Sequence, residues 1–431
     1  MPTPDRKPQV LFSGLLITLL SLSLLAALQS TRAQPILPGI HTVTAWTCLG
    51  TFILAVGFSR AHQRPLSGRQ KTFLPGLNAF MLFVLASSLY SPEPWHSAQA
   101  AVVMLLMLNT VALSLLHVPD PARLLRACAY LFLAFTVLAC LYVVVLMHFE
   151  QLFWFSDLQI KRIKIGDISL QRPVYGRRNS SYLGNPNLLG AFIALSLPTA
   201  YYLLSTTRHR ARQLGSALII LLLAYTLWHT ASRASTLSAL FGLTVFTLLL
   251  LEHKSHPIKK PALIGVGLSA IALLGLFLYD KNLLLQALNE VLARKGSLLS
   301  GREKAWQLLL ESIRTHPLLG IGYDISQQQL LIPGGFTNPY GSHNIYLRIA
   351  AETGLIGLVG FLGLILWPLI NACRQISNGT AAQPLLLILW VSVGSTFLFH
   401  GFFEDNIAPT AALFLYPVVG MVGLGYQIRR S

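Results

Sequence analysis

Charge is what this chain of 431 residues most conspicuously lacks: charged residues make up 11% of it, hydrophobic ones 54%, and its mean hydropathy is +0.60. Soluble domains carry about 25% charged residues, so an ordinary soluble fold is excluded. Acids are scarcer than bases, 15 Asp and Glu beside 32 Lys and Arg, which leaves a formal net charge of +17. Cysteine is nearly missing too. Cys48, Cys128, Cys140 and Cys373 show neither a CxxC pair nor a Cys/His spacing, so neither a zinc site nor a disulfide framework is indicated. There is no Walker loop and no GxGxxG after a strand, so nothing points to nucleotide-driven work. No cofactor and no metal is expected, and a donor substrate should arrive already activated.

What the chain has instead is apolar runs. A helix needs about 20 such residues to cross about 30 Å of hydrocarbon, and spans are expected near 10–28, 39–58, 74–90, 97–117, 125–148, 186–204, 214–230, 235–251, 261–279, 343–371, 384–404 and 407–427. The expected fold class is an all-α polytopic integral membrane protein of about 12 transmembrane helices with two longer outer loops. It divides into helices 1–5 (1–148), a basic loop (149–184), helices 6–9 (185–279), a large loop with amphipathic helices (280–342) and helices 10–12 (343–431). Arg6 and Lys7 before an apolar run imitate a secretory leader, but the run is long and more spans follow, so it reads as an uncleaved first helix.

With the N-terminus inside, 16 Lys and Arg fall on inner segments such as Arg60/Arg64/Arg69/Lys71 and Arg208/Arg210/Arg212. That share is an orientation signal and not a nucleic-acid footprint. The loops at 149–184 and 280–342 break the rule with six basic residues each, and from Lys161 to Arg178 those six face a single acid, Asp167. Such charge outside calls for an anionic ligand at the outer membrane face. The rival explanation is nonspecific binding of lipid headgroups.

Candidate residues collect between 149 and 348. His343 ends a Gly/Pro/Asn loop and opens a span beside Asn344, where an imidazole can either take a proton from a sugar hydroxyl or simply cap the helix. Arg348 and Glu352 lie one turn apart, and either pair with each other or leave Arg348 donors for a ligand. Arg177 and Arg178 precede the Gly184-Asn185-Pro186-Asn187 turn, where guanidinium forks suit phosphate. Arg233 is the one charge in the Ser232-Arg233-Ala234-Ser235 turn, with His229 four residues earlier. Arg302 and Lys304 stand in an amphipathic helix marked by Ala305, Trp306, Leu309, Leu310 and Ile313. Glu404 and Asp405 are an acidic pair at the outer face and rival His343 as general base.

The Gly184-Asn185-Pro186-Asn187 helix start, the Ser232-Arg233-Ala234-Ser235 turn, Gly301-Arg302 to Trp306, Pro317-Leu318-Leu319-Gly320-Ile321-Gly322 and Ser342-His343-Asn344 together resemble the O-antigen ligase and polymerase superfamily. The resemblance covers roughly residues 176–365, and the length and span count look most like the ligase branch. It implies a metal-independent glycosyltransferase of the bacterial inner membrane, acting at the periplasmic face and with both termini in the cytoplasm. Its donor would be an O-antigen on undecaprenyl diphosphate and its acceptor lipid A-core, amid membrane lipids. The family's essential histidine falls on His343 and its essential arginine on Arg233. Its diphosphate-binding arginines fall on Arg177 or Arg178 and on Arg302, with Arg348 and Asn344 close by. A polymerase, a protein O-oligosaccharyltransferase and a lipid-linked glycan flippase remain as alternatives.

Overall fold

The computed structural model describes residues 13–24, 70–148, 162–179, 183–253, 302–333, 342–405 and 412–426, apart from 15, 23, 119, 166, 167, 172, 173, 176, 177, 184 and 208. The expected spans at 39–58 and 261–279 lie outside the described residues, as do Arg177 and the first helical segment of the large loop. The helices are α1 (Gln70–Ala86), α2 (Pro94–His117), α3 (Pro121–His148), α4 (Pro186–Thr206), α5 (Arg210–Thr230), α6 (Arg233–Glu252), α7 (Arg302–Thr315), α8 (Ile345–Ser377), α9 (Pro384–His400) and α10 (Ala412–Tyr426). Six of them, α2 to α6 and α8, are long and apolar enough to cross a membrane, and residues 75–90, 384–400 and 413–424 form shorter apolar helices. The basic loop departs from the all-α expectation. It carries two short antiparallel ladders, β1 (Arg162–Ile165) with β2 (Ile168–Gln171) and β3 (Val174–Tyr175) with β4 (Arg178–Asn179).

The core forms around α4, which is apolar on every side and packs against α3, α5, α6 and α9. Phe192 of α4 stacks on Phe132 at 5.1 Å, and Phe132 stacks in turn on Tyr416 at 3.9 Å. The Tyr416 hydroxyl shares a hydrogen bond of 2.8 Å with Thr199. Small residues let helices approach: a Cβ on Gly190 would stand 2.6 Å from the Ser235 hydroxyl of α6. The outer ring is apolar where it is exposed, with Leu138, Leu218, Leu221, Leu248 and Val359 uncovered along the spans. Such faces suit lipid and would be costly in water.

Helix α8 is longer than the expected span and is broken at Gly354 (φ 69°, ψ −177°). A break leaves amides and carbonyls unpaired, a serious cost where no water reaches them. The segment 317–322 supplies the partners. Leu355 and Ile356 amides donate to the Pro317 and Leu318 carbonyls at 2.8 and 3.5 Å, and Ile321 and Gly322 amides donate to Ala351 and Glu352 carbonyls at 3.0 and 2.8 Å. A Cβ on Gly354 would lie 2.0 Å from the Leu318 oxygen, and one on Gly320 2.4 Å from the Glu352 carbonyl carbon. The glycines of the Pro317-to-Gly322 stretch thus dock a loop into a helix break, and Arg348 and Glu352 sit on the piece ahead of it.

Candidate active site

The start of α4, the α5–α6 turn, the start of α7, the start of α8 and the end of α9 meet at one end of the bundle, joined by the hydrogen bonds that follow. His343 enters α8 with φ 52°, a left-handed conformation unusual for a residue with a side chain. Its neighbours hold it there. The Ser342 carbonyl accepts from Trp306 Nε1 at 3.0 Å, and the Ile345 amide donates to the Gly401 carbonyl at 2.8 Å. Asn344, and not His343, is the N-cap of α8: its side-chain oxygen accepts from the Leu347 amide at 3.0 Å while its Nδ2 donates to the Phe402 carbonyl at 3.3 Å. Both ends of the amide expected to bind substrate are therefore engaged. Strain of about 1–3 kcal/mol at such a backbone persists only when the surroundings over-determine it.

His343 Nδ1 lies 2.9 Å from Glu404 Oε2. The other carboxylate oxygen, Oε1, accepts from Arg302 Nη2 and from Asn187 Nδ2, both at 2.9 Å. The two residues that sequence left as competing bases are one hydrogen-bonded pair. An ionised carboxylate only accepts, so Nδ1 carries a proton, and in the neutral form of the ring the lone pair is on Nε2. Burial pushes the Glu404 carboxyl up, but the hydrogen bond and charge of His343, with Arg302 and His400, outweigh it and hold the group below its ordinary value of 4.5.

A folded-state value below the unfolded one means that the carboxylate contributes stability above about pH 4.5, which is lost as pH falls through the lowered value. Thermal unfolding of wild type and Glu404→Gln should therefore differ fully above about pH 4.5 and converge below it. A gap that stays constant across that window would show that the charge of Glu404 is not what matters.

A second rung runs beside the first. Ser342 Oγ donates to Asp405 Oδ2 at 3.0 Å, and Arg348 Nη1 reaches the same oxygen at 3.7 Å. Arg348 also donates from Nη2 to Asp324 and from Nε to Glu352 Oε1 at 3.1 Å. Glu352, fully buried, further accepts from the Asp324 amide at 3.0 Å, the Ser326 amide at 3.3 Å and the Ser326 hydroxyl at 2.6 Å. Arg348 has donors on three carboxylates, so its place is that of a brace under the site. Arg302 likewise has a carboxylate partner already.

Arg233 is different. It is the first residue of α6, exposed, and has no hydrogen-bonding or ionic partner among the described residues. The turn ahead of it reverses the chain through Ala231 at φ 47°, so His229, in the last turn of α5 with its ring 4.6 Å from Tyr225, shares no helix with Arg233. A guanidinium at a helix N-terminus, where amides are also unpaired, is suited to an anion. Arg178 lies on β4, which contacts α5. Sequence reasoning passed over Asn187, Asp324 and His400; the Asn-Pro-Asn start of α4 was the one available signal, since Asn185 already caps that helix by accepting from the Asn187 amide.

Residues 217–362 match the model of the family described as O-antigen ligase. The chain is 33% identical over 153 residues to an O-antigen ligase of Pseudomonas aeruginosa, a match covering 34% of this chain and about a third (32%) of the length of that relative. A chain from a structure titled "Structural coordination of polymerization and crosslinking by a peptidoglycan synthase complex" aligns over 82% of this chain and 96% of its own length, at 17% identity and a TM-score of 0.40. The matched region contains Arg233, Arg302, Arg348 and His343. Residues 217–362 of this chain are thus similar to the O-antigen ligase family over about a third of the chain.

Proposed function

We propose that the protein is an O-antigen ligase, an inverting glycosyltransferase that moves a glycan from undecaprenyl diphosphate to a sugar hydroxyl of lipid A-core at the periplasmic face of the inner membrane, with twelve spans and both termini in the cytoplasm. The observation that carries this reading is the 2.9 Å bond between His343 Nδ1 and Glu404, within a family of glycosyl-transfer enzymes. It leaves Nε2 as the base. The acceptor hydroxyl loses its proton to Nε2 as its oxygen attacks the anomeric carbon from the side opposite the diphosphate. The bond from that carbon to the phosphate oxygen breaks, the configuration inverts, and undecaprenyl diphosphate leaves.

Glu404 holds the tautomer and stabilises the imidazolium, as a buried carboxylate does in a Ser-His-Asp triad. Arg233 meets the charge that grows on the leaving diphosphate. Losing such a preorganised donor costs about 2.7–4 kcal/mol of barrier, so Arg233→Ala should slow transfer by about 10²- to 10³-fold. Arg233→Lys should recover little of it, because a lysine offers a point charge in place of the planar fork. Initial rates with purified donor in liposomes check both, and a lysine variant as fast as wild type would count against bidentate binding. The basic loop, with Arg177 and Arg178, is a second place for the carrier diphosphate.

A further inference from the structure

His400 is a second histidine at the site that the chemistry above does not use. It is the last residue of α9 and is buried. Its Nε2 lies 3.2 Å from Ser235 Oγ, and Ser235 Oγ lies 2.9 Å from the hydroxyl of Ser232, the residue just before Arg233. Its backbone carbonyl accepts from the Phe403 and Glu404 amides at 2.9 and 3.1 Å. One residue is therefore bonded to the turn that presents Arg233 and to the turn that presents Glu404. A parallel link runs through Asn187, whose carbonyl is 3.5 Å from Ser235 Oγ and whose side chain donates to Glu404. Space below the Arg233 turn is fixed by Gly190: a Cβ there would come within 2.6 Å of Ser235 Oγ and 3.1 Å of the Ser232 Cβ.

The Ser232 side chain makes no capping bond to its own helix, so the seryl pair is available to tie the turn sideways to α9. We propose that His400 is a positioning residue that fixes the Arg233 turn relative to the His343–Glu404 pair, so that the arginine which receives the leaving group and the base which activates the acceptor sit at one set separation. The proposal rests on the glycosyl-transfer reading for what the separation serves. Three consequences distinguish it from a histidine that merely fills space. The effect of losing the imidazole should pass through Arg233, a side chain that restores the bond to Ser235 should rescue it, and pushing on the turn from the Gly190 side should reproduce it.

The test uses the full chain in liposomes, with wild type, His400→Leu, His400→Gln, Gly190→Ala, Arg233→Ala and the double variant His400→Leu/Arg233→Ala. Two readouts are taken: the rate of glycan transfer, and binding of undecaprenyl diphosphate itself. We expect His400→Leu to lose about tenfold in both, about 1.4 kcal/mol, with His400→Gln close to wild type and Gly190→Ala close to His400→Leu. In the Arg233→Ala background, His400→Leu should add less than about twofold, the non-additivity of residues acting as a unit. Equal losses from His400→Leu with and without Arg233, or a glutamine variant no better than leucine, overturn the proposal. If wild type fails to transfer yet its binding follows this pattern, the ligase reading falls and the positioning role stands.

Discussion

Replacing His343 with Gly should cut turnover by about 10²- to 10⁴-fold while leaving the protein folded and close to wild type in stability. His343 holds φ 52°, a conformation that glycine adopts freely and asparagine tolerates. His343→Gly and His343→Asn therefore remove the imidazole without adding backbone strain, and glycine relieves some of it. The chemical loss is separate. A positioned general base contributes about 10²- to 10⁴-fold, so transfer should fall by that factor in both variants while apparent melting temperatures stay near that of wild type, the relieved backbone strain offsetting the lost bond to Glu404. Glu404 keeps Arg302 and Asn187 as partners in either variant, so the pocket does not acquire a lone buried charge. Glycan transfer rates and thermal unfolding in detergent, measured on the same preparations, separate the two effects. A His343→Gly variant that transfers at near the wild-type rate would remove histidine from the chemistry.

Replacing Glu352 with Ala should do the reverse and damage the fold first. Its carboxylate is fully buried and takes Arg348 Nε, the Asp324 and Ser326 amides and the Ser326 hydroxyl. Removing one side of a buried ion pair costs about 3–5 kcal/mol, because the other charge and the donors are left unpaired. Arg348 retains Asp324 and Asp405, which points to the lower end, about 3 kcal/mol. The damage should spread to the docking of 317–322 into the α8 break, since the Glu352 carbonyl anchors Gly322. The expected result is a lowered melting temperature with new protease cleavage near residues 317–326. A stable, uncleaved Glu352→Ala protein would mean that the brace carries little of the fold.

Much of the helical frame was legible in the sequence. Expected spans at 186–204 and 235–251 correspond to Pro186–Thr206 and Arg233–Glu252, because a proline or an arginine flanks each apolar run where the helix begins. The 229–235 break appears as the Ala231 turn. The break at Gly354 was not legible, since averaged hydropathy passes smoothly over a glycine whose role is to admit residues 317–322. Charge partners were the other blind spot. Glu404 and His343 are 61 positions apart, and each alone reads as a base, so they looked like rivals when they are partners. Arg348 read as available for substrate because two of its three carboxylates, Asp324 and Asp405, come from distant segments. The exposure of Arg233 at the head of α6 was legible locally, because it follows from the turn itself.

The broken α8 also bears on the transporter alternative. Transporters use discontinuous helices to line a substrate path with unwound backbone. Here the backbone groups freed at Gly354 are bonded to residues 317–322 of the same chain, so the break docks a loop, while the titratable residues gather at the helix ends.

The decisive measurement gives purified protein in liposomes an undecaprenyl diphosphate-linked glycan and lipid A-core, with neither metal nor nucleotide added, and reads the products by gel and mass spectrometry. An O-antigen ligase built around the His343–Glu404 pair yields glycan attached to lipid A-core, and His343→Gly yields at least about 10²-fold less. Lengthened donor glycan with untouched lipid A-core, or an unchanged product level in His343→Gly, would contradict it.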